Sequence, residues 1–259
     1  MNATGALQGL RIGCVKYLNS RPLIHSCVRD GEVPVIFEHP AQLADDLRDG
    51  QLDAALIPVF EALRIPGLVA ADGVGIACRG PVYSVLLAYR GDLRSHRVIS
   101  LDPASRTSVH LAQVLLAEFH GMSPTYIKGD EGDARVLIGT QAIEFRQQHG
   151  AAWNYLDFGE VWLDHTGLPF VFALWMLRAD LPGVETIAEA FRVLKREGTA
   201  AIPEIVTTEE DPEFARKYLT EYIRFEVGPE EKQALELFRK LLVKHNLLPG
   251  GGGEPLRFL

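Results

Sequence analysis

Leu10-Arg11-Ile12-Gly13-Cys14-Val15-Lys16-Tyr17-Leu18-Asn19-Ser20-Arg21-Pro22-Leu23 sets the frame for the whole chain. Residues 10–15 are apolar apart from Arg11 and stop at a turn, residues 16–20, so they read as a buried strand. Ser20 stands where a helix cap belongs, and Pro22 falls in the first turn, where the N–H that proline lacks has no partner anyway. A strand feeding a helix is a crossover unit, and it recurs as strand 33–38, helix 40–49 closed by Gly50, strand 53–58 and helix 59–65. That alternation predicts a right-handed parallel α/β sheet.

Residues 82–89 form a further apolar strand, and beyond Arg90-Gly91 the alternation restarts. It runs through strand 98–101, helix 107–120, strands 125–128 and 134–138, and helix 140–149. After 154–158 and a short helix at 160–166 comes a continuous apolar strand, 170–176, followed by helices at 184–197, 212–221 and 230–247. So much helix after the second series is best accommodated if the chain returns to where it began. The expectation is two lobes, 1–90 with 171–259 and 91–170, joined by crossings near 90 and 170. A fold of that kind holds its ligand between the lobes, at the carboxyl ends of the strands. The run Gly250 to Gly253 lacks the helix and lysine of a phosphate loop and reads as a flexible terminus.

Composition excludes several functions. The formal charge of −8 and the lack of any basic cluster argue against a nucleic-acid partner. An anionic ligand would then be attracted locally, by helix ends and a few arginines, and not by the overall field. The 3 cysteines show no C-x-x-C spacing and read as small core residues; the 8 histidines never adopt a metal-binding spacing, so no metal is expected. There is no G-x-S-x-G elbow and no dinucleotide fingerprint, and no cofactor is expected. No apolar run reaches the roughly 20 residues that span a bilayer. Residues 1–10 lack a basic start and an apolar core, so the expected setting is cytoplasmic, with no membrane partner.

Five segments fall at strand ends. Ser105-Arg106-Thr107-Ser108 gathers three hydroxyls and a guanidinium where helix 107–120 begins, a place that suits a carboxylate or phosphate. Helix capping by Ser105 is the plainer alternative. Asn19 offers both donor and acceptor to a ligand, or simply a turn. Ser84 lies in the apolar run 82–87, after Arg79-Gly80-Pro81, and its hydroxyl needs a partner, either a ligand or a backbone carbonyl. Gly139-Thr140 repeats the helix-start logic, or supplies a tight turn. Glu160, after Asp157-Phe158-Gly159, is either an acid or base or a charge that complements the helix dipole. From these residues alone the chain is a two-lobed binder of a small anion.

Taken together, Tyr17-Leu18-Asn19-Ser20-Arg21-Pro22-Leu23, residues 53–58, Arg79-Gly80-Pro81-Val82-Tyr83-Ser84 with 85–87, Ser105 to Ser108, Leu137-Ile138-Gly139 and residues 157–162 with 166–172 resemble the chorismate dehydratase family of the futalosine route to menaquinone. The resemblance runs through nearly the whole chain in the family's order. It implies a type II periplasmic-binding-protein-like fold and a cofactor-independent loss of water from chorismate, giving 3-[(1-carboxyvinyl)oxy]benzoate. It also implies that Asn19 and Ser84 are catalytic, with Tyr17, Arg79, Ser105, Arg106, Thr107, Ser108, Gly139 and Glu160 around the substrate. In that scheme the hydroxyls, Arg106 and Ser84 hold carboxylates, and Asn19 orients the departing hydroxyl or the second carboxylate. The proton goes to the substrate's enolpyruvyl carboxylate or to Glu160. A related 1,4-dihydroxy-6-naphthoate synthase shares the fold but opens on a different turn from Tyr17-Leu18-Asn19. A non-catalytic solute-binding protein is the alternative from another class.

Overall fold

The computed structural model describes residues 3–101, 106–129, 132–248 and 255–259. Its strands are β1 (Ile12–Cys14), β2 (Val35–Phe37), β3 (Ala54–Pro58), β4 (Leu68–Cys78), β5 (Val85–Tyr89), β6 (Val98–Leu101), β7 (Thr125–Lys128), β8 (Ala134–Ile138), β9 (Asn154–Asp157) and β10 (Phe170–Arg178). They form two 5-stranded sheets, ordered β2-β1-β3-β10-β4 and β7-β6-β8-β5-β9. The helices are α1 (Ala3–Leu7), α2 (Arg21–Asp30), α3 (Pro40–Arg48), α4 (Val59–Arg64), α5 (Thr107–His120), α6 (Gly139–His149), α7 (Phe158–Thr166), α8 (Val184–Ala200), α9 (Ile202–Ile205), α10 (Pro212–Lys217) and α11 (Pro229–Lys244). Among the described residues no helix is long and apolar enough to cross a membrane.

The sheets are mixed, not parallel as the alternation predicts. β1 runs parallel to β2 and β3, and β6 parallel to β7 and β8. β10 is antiparallel to β3 and β4, and β5 is antiparallel to β8 and β9. The exceptions are the strands by which the chain enters each sheet from the other. Resident strands end at the face between the sheets, so a strand arriving across that face starts there and must run the opposite way. For the same reason β5 belongs to the second sheet, and the first crossing lies before Val85, not near 90. The return crossing falls ahead of Phe170, close to the expected place. The sequence reading names no element over β4, whose Asp72, Gly73 and Gly75 interrupt its apolar pattern. Ser105 and the run Gly250 to Gly253 lie outside the described residues.

β10 explains its own sequence. It is flanked on both edges and buried on both faces, so no polar position is tolerated from Phe170 to Leu177. Trp175 stacks on Phe191 of α8 with ring centroids 4.2 Å apart, and Phe170 packs against Phe238 of α11. Fully burying one such side chain contributes about 1.5–3 kcal/mol.

Cys14, Cys27 and Cys78 are free and buried in this core. Burial pushes the Cys14 thiol up to about 12 and the Cys27 thiol up to about 11, and raises that of Cys78 as well. Each is therefore protonated at neutral pH, and the thiol is not the nucleophile. In the folded protein none of the 3 should react with a disulfide reagent at pH 8 within minutes, whereas all should react in guanidinium. A fast-reacting thiol in the native state would contradict the packing.

Candidate functional site

A cleft lies between the two sheets. Its first wall is apolar and comes from strand ends: Val15 after β1, Leu56 and Pro58 of β3, Ile76 of β4, and Phe172 with Ala173 of β10. The second lobe contributes Val82, Val85, Ile138 and the start of α5. A flat ring is well matched to such walls, and the few polar groups then fix its orientation.

Asn19 sits in a turn whose shape does not depend on its own side chain. Ser20 donates to the carbonyls of Val15 at 2.7 Å and Tyr17 at 2.8 Å, closing the turn from within. Its hydroxyl is spent there and does not cap α2, contrary to the capping role read from the sequence. The Asn19 amide Nδ2 donates to the Tyr218 hydroxyl at 3.2 Å, and its Oδ1 is buried with no hydrogen-bond partner. Ser84, 1 % exposed, shares a 2.7 Å hydrogen bond with the same Tyr218 hydroxyl. The partner that Ser84 requires inside the protein is thus a phenol, not the backbone carbonyl foreseen as the alternative to a ligand.

Tyr218 is the residue the sequence reading missed. It lies in a π-helical turn, Tyr218–Tyr222, after α10, and burial pushes its hydroxyl up to about 12. No local pattern marks it, because its polar neighbours are 199 and 134 residues away in the chain.

The segment carrying Ser84 is clamped by Asp157. That buried carboxylate accepts from the N–H groups of Val82 (2.9 Å), Tyr83 (2.8 Å) and Gly159 (3.0 Å), and caps α7. Burial raises its pKa, while the N–H groups of Val82, Tyr83 and Glu160 and the Arg146 guanidinium act in the opposite direction. Tyr83 is held with φ at 66°, in the left-handed region, directly before Ser84. Strained backbone of this kind persists only where its surroundings hold it. Asp157, not Glu160, is therefore the acid that shapes this corner. Glu160 is exposed in the first turn of α7 and does not line the cleft, which agrees with the dipole reading. Arg79 is also absent from the lining; it pairs with Glu230 at 2.7 Å on the exposed side of α11.

Tyr17, Arg106, Thr107, Ser108 and Gly139 all line the cleft. At Gly139, φ is 58° and a Cβ would stand 3.2 Å from the Tyr17 ring, so glycine is required both by the backbone and by the ring lying over it. Its N–H donates to the Ser84 carbonyl at 2.7 Å and is not available to an anion. The Thr107 hydroxyl is likewise engaged: it accepts from Phe60 N–H at 3.1 Å and donates to the Phe172 carbonyl at 3.3 Å, tying α5 to the first lobe. The cation at this helix start is Arg106, 3.7 Å from Glu61. Glu61 also binds Arg64 at 2.5 Å, so one buried carboxylate faces two guanidiniums, of which Arg106 lines the cleft.

Two mixed sheets with a cleft at their strand ends define the periplasmic-binding-protein fold. A solved protein of Archaeoglobus fulgidus superposes with a TM-score of 0.71 at 15% identity, covering 92% of this chain and 98% of that one. The periplasmic aliphatic sulphonate binding protein of Escherichia coli superposes at 0.58 and 17% identity, covering 96% and 92%. Within that fold the chain belongs to the menaquinone biosynthesis family, whose model matches residues 10–244. A chorismate dehydratase of Thermus thermophilus is 28% identical over 258 residues, covering 89% of this chain and 94% of the relative. A chorismate dehydratase of Campylobacter jejuni is 27% identical over 249 residues, covering 91% and 98%.

Proposed function

We propose that this protein is a chorismate dehydratase that works without metal or cofactor. The observation that carries the reading is that an unpartnered acceptor, Asn19 Oδ1, and a hydroxyl, Ser84 Oγ, face a cleft whose first wall is apolar. Chorismate is a cyclohexadiene bearing an alcohol and two carboxylates. Its ring fits the apolar walls, a carboxylate fits Arg106 and the α5 start with Ser84, and its alcohol can donate to Asn19 Oδ1. An acceptor is poorly suited to the second carboxylate, which favours the hydroxyl of the two roles open to Asn19.

The reaction removes a ring proton from the carbon bearing the enolpyruvyl ether and hydroxide from the neighbouring carbon. The C–H electron pair moves into the ring, the C–O bond breaks, the proton and hydroxide leave as water, and the ring becomes aromatic. The proton is vinylogously acidic through the diene and the ring carboxylate. Donors and positive charge around that carboxylate stabilise the charge that develops on it. Glu160 lies outside the cleft, and Asp157 is committed to backbone N–H groups. We therefore assign the proton first to the enolpyruvyl carboxylate of the substrate, which passes it to the departing hydroxide so that water leaves, with the protein enforcing the geometry.

Incubating the purified chain with chorismate, without metal or nucleotide, should yield a species lighter by one water on chromatography with mass detection. Unchanged chorismate that raises the melting temperature would make the protein a binder only, as the fold also permits. No product and no thermal shift would exclude chorismate as the ligand.

A further inference from the structure

We propose that Tyr218 is a positioning residue: its hydroxyl sets which atoms of Asn19 and Ser84 are offered to the ligand, and so favours ligands that carry an alcohol. The inference rests on the reading of the cleft as a dehydratase site. Asn19 Nδ2 can only donate, so the Tyr218 oxygen accepts at that 3.2 Å contact. The phenol's single proton is then free for its other neighbour, Ser84 Oγ, at 2.7 Å. In the proposed arrangement Ser84 accepts at this contact, where either oxygen can donate, and turns its own proton away from Tyr218. The direction of donation runs from Asn19 to Tyr218 to Ser84 and onward, leaving a donor at one end and Oδ1 as an acceptor at the other.

The arrangement is fixed and not incidental. The Tyr218 side chain is 1 % exposed and stacks on Phe214 with centroids 6.0 Å apart, so the ring cannot swing. Its raised pKa keeps the phenol protonated throughout the physiological range. Asn19 and Tyr218 belong to the first lobe, whereas Ser84 lies on the crossing into the second; one hydroxyl therefore aligns groups from both sides of the cleft. The dehydrated product has no alcohol and leaves Oδ1 without a donor. The same geometry that welcomes chorismate thus weakens the hold on what is made from it.

The test is Tyr218→Phe in the full chain, which removes the oxygen and keeps the ring. Melting should move by no more than about 4 °C. For chorismate, kcat should fall by up to about 100-fold with KM changed less than about threefold, as misplacement of a reacting geometry does. In a Ser84→Ala background, adding Tyr218→Phe should cost less than about threefold more, because one arrangement is lost only once. A crystal structure of Tyr218→Phe should show the Asn19 amide or the Ser84 hydroxyl in a new rotamer. Unchanged kcat, losses that multiply with those of Ser84→Ala, or unmoved Asn19 and Ser84 would each overturn the proposal. If the wild-type chain does not dehydrate chorismate, the reading of function fails separately. Calorimetry then decides the positioning role: wild type should bind chorismate more tightly than 3-[(1-carboxyvinyl)oxy]benzoate, and Tyr218→Phe should abolish the difference. Equal ratios in the two proteins would overturn it.

Discussion

Asn19→Ala is expected to lower kcat for chorismate about 100- to 1000-fold, the range seen when one oriented polar group is removed from a transition-state site, with KM moved less than about threefold. The asymmetry follows from the geometry. Binding draws on the apolar walls and on Arg106, none of which Asn19 supports. What Asn19 adds is an acceptor that fixes the alcohol, and with it the neighbouring C–H, in the reacting geometry, which binding does not need but reaction does. The fold should tolerate the change, since the turn is closed by the two hydrogen bonds from Ser20 and Tyr218 keeps its bond to Ser84. Steady-state kinetics on variant and wild type check this, with thermal melting to confirm equal folding. A fall in kcat/KM caused mainly by KM would demote Asn19 to an ordinary binding contact.

The fold was legible where apolar periodicity is strong and local. β6, α5, β7, β8 and the start of β10 fall within a residue or so of expectation, because strands buried on both faces and helices with one apolar stripe announce themselves. Direction within a sheet does not announce itself. Whether β5 and β10 run with or against their neighbours depends on which side of the cleft the chain arrives from, a property of the whole path. β4 failed for a different reason: its edge is completed by residues from the far end of the chain, Arg257 and Leu259 bonding to Ala70, which no window of sequence contains.

The candidate site divides in the same way. Asn19, Ser84, Arg106, Thr107, Ser108 and Gly139 were marked by lying at strand ends or helix starts, and the structure brings them to one cleft. Arg79 and Glu160 lie beside such positions, but one turns to Glu230 and the other stays on the exposed first turn of α7. A position near a strand end narrows where a side chain begins, not where it points. Thr107 reaches the cleft yet has its hydroxyl engaged between Phe60 and Phe172, so its type was readable and its partners were not.

The largest effect on stability should come from a residue that no functional motif includes. In Gly198→Ala the new Cβ would stand 1.6 Å from the Pro22 carbonyl oxygen and 2.6 Å from its carbon. Both are backbone atoms, so no side-chain rotation relieves the overlap, and α2 and α8 must separate. Alanine improves helix propensity by about 1 kcal/mol over glycine, but overpacking a close helix contact costs about 3 kcal/mol or more. The net loss should lower the melting temperature by several degrees, near 10 °C if α2 cannot shift. Gly5→Ala, in α1 with nothing near its added Cβ, is the control and should be neutral or mildly stabilising. Activity should suffer as well, because Pro22 lies three positions beyond Asn19 and any displacement of the start of α2 carries the Asn19 turn with it. A Gly198→Ala protein that melts within about 2 °C of wild type, with kcat unchanged, would show that the two helices are free to part and that Asn19 is held by its own turn alone.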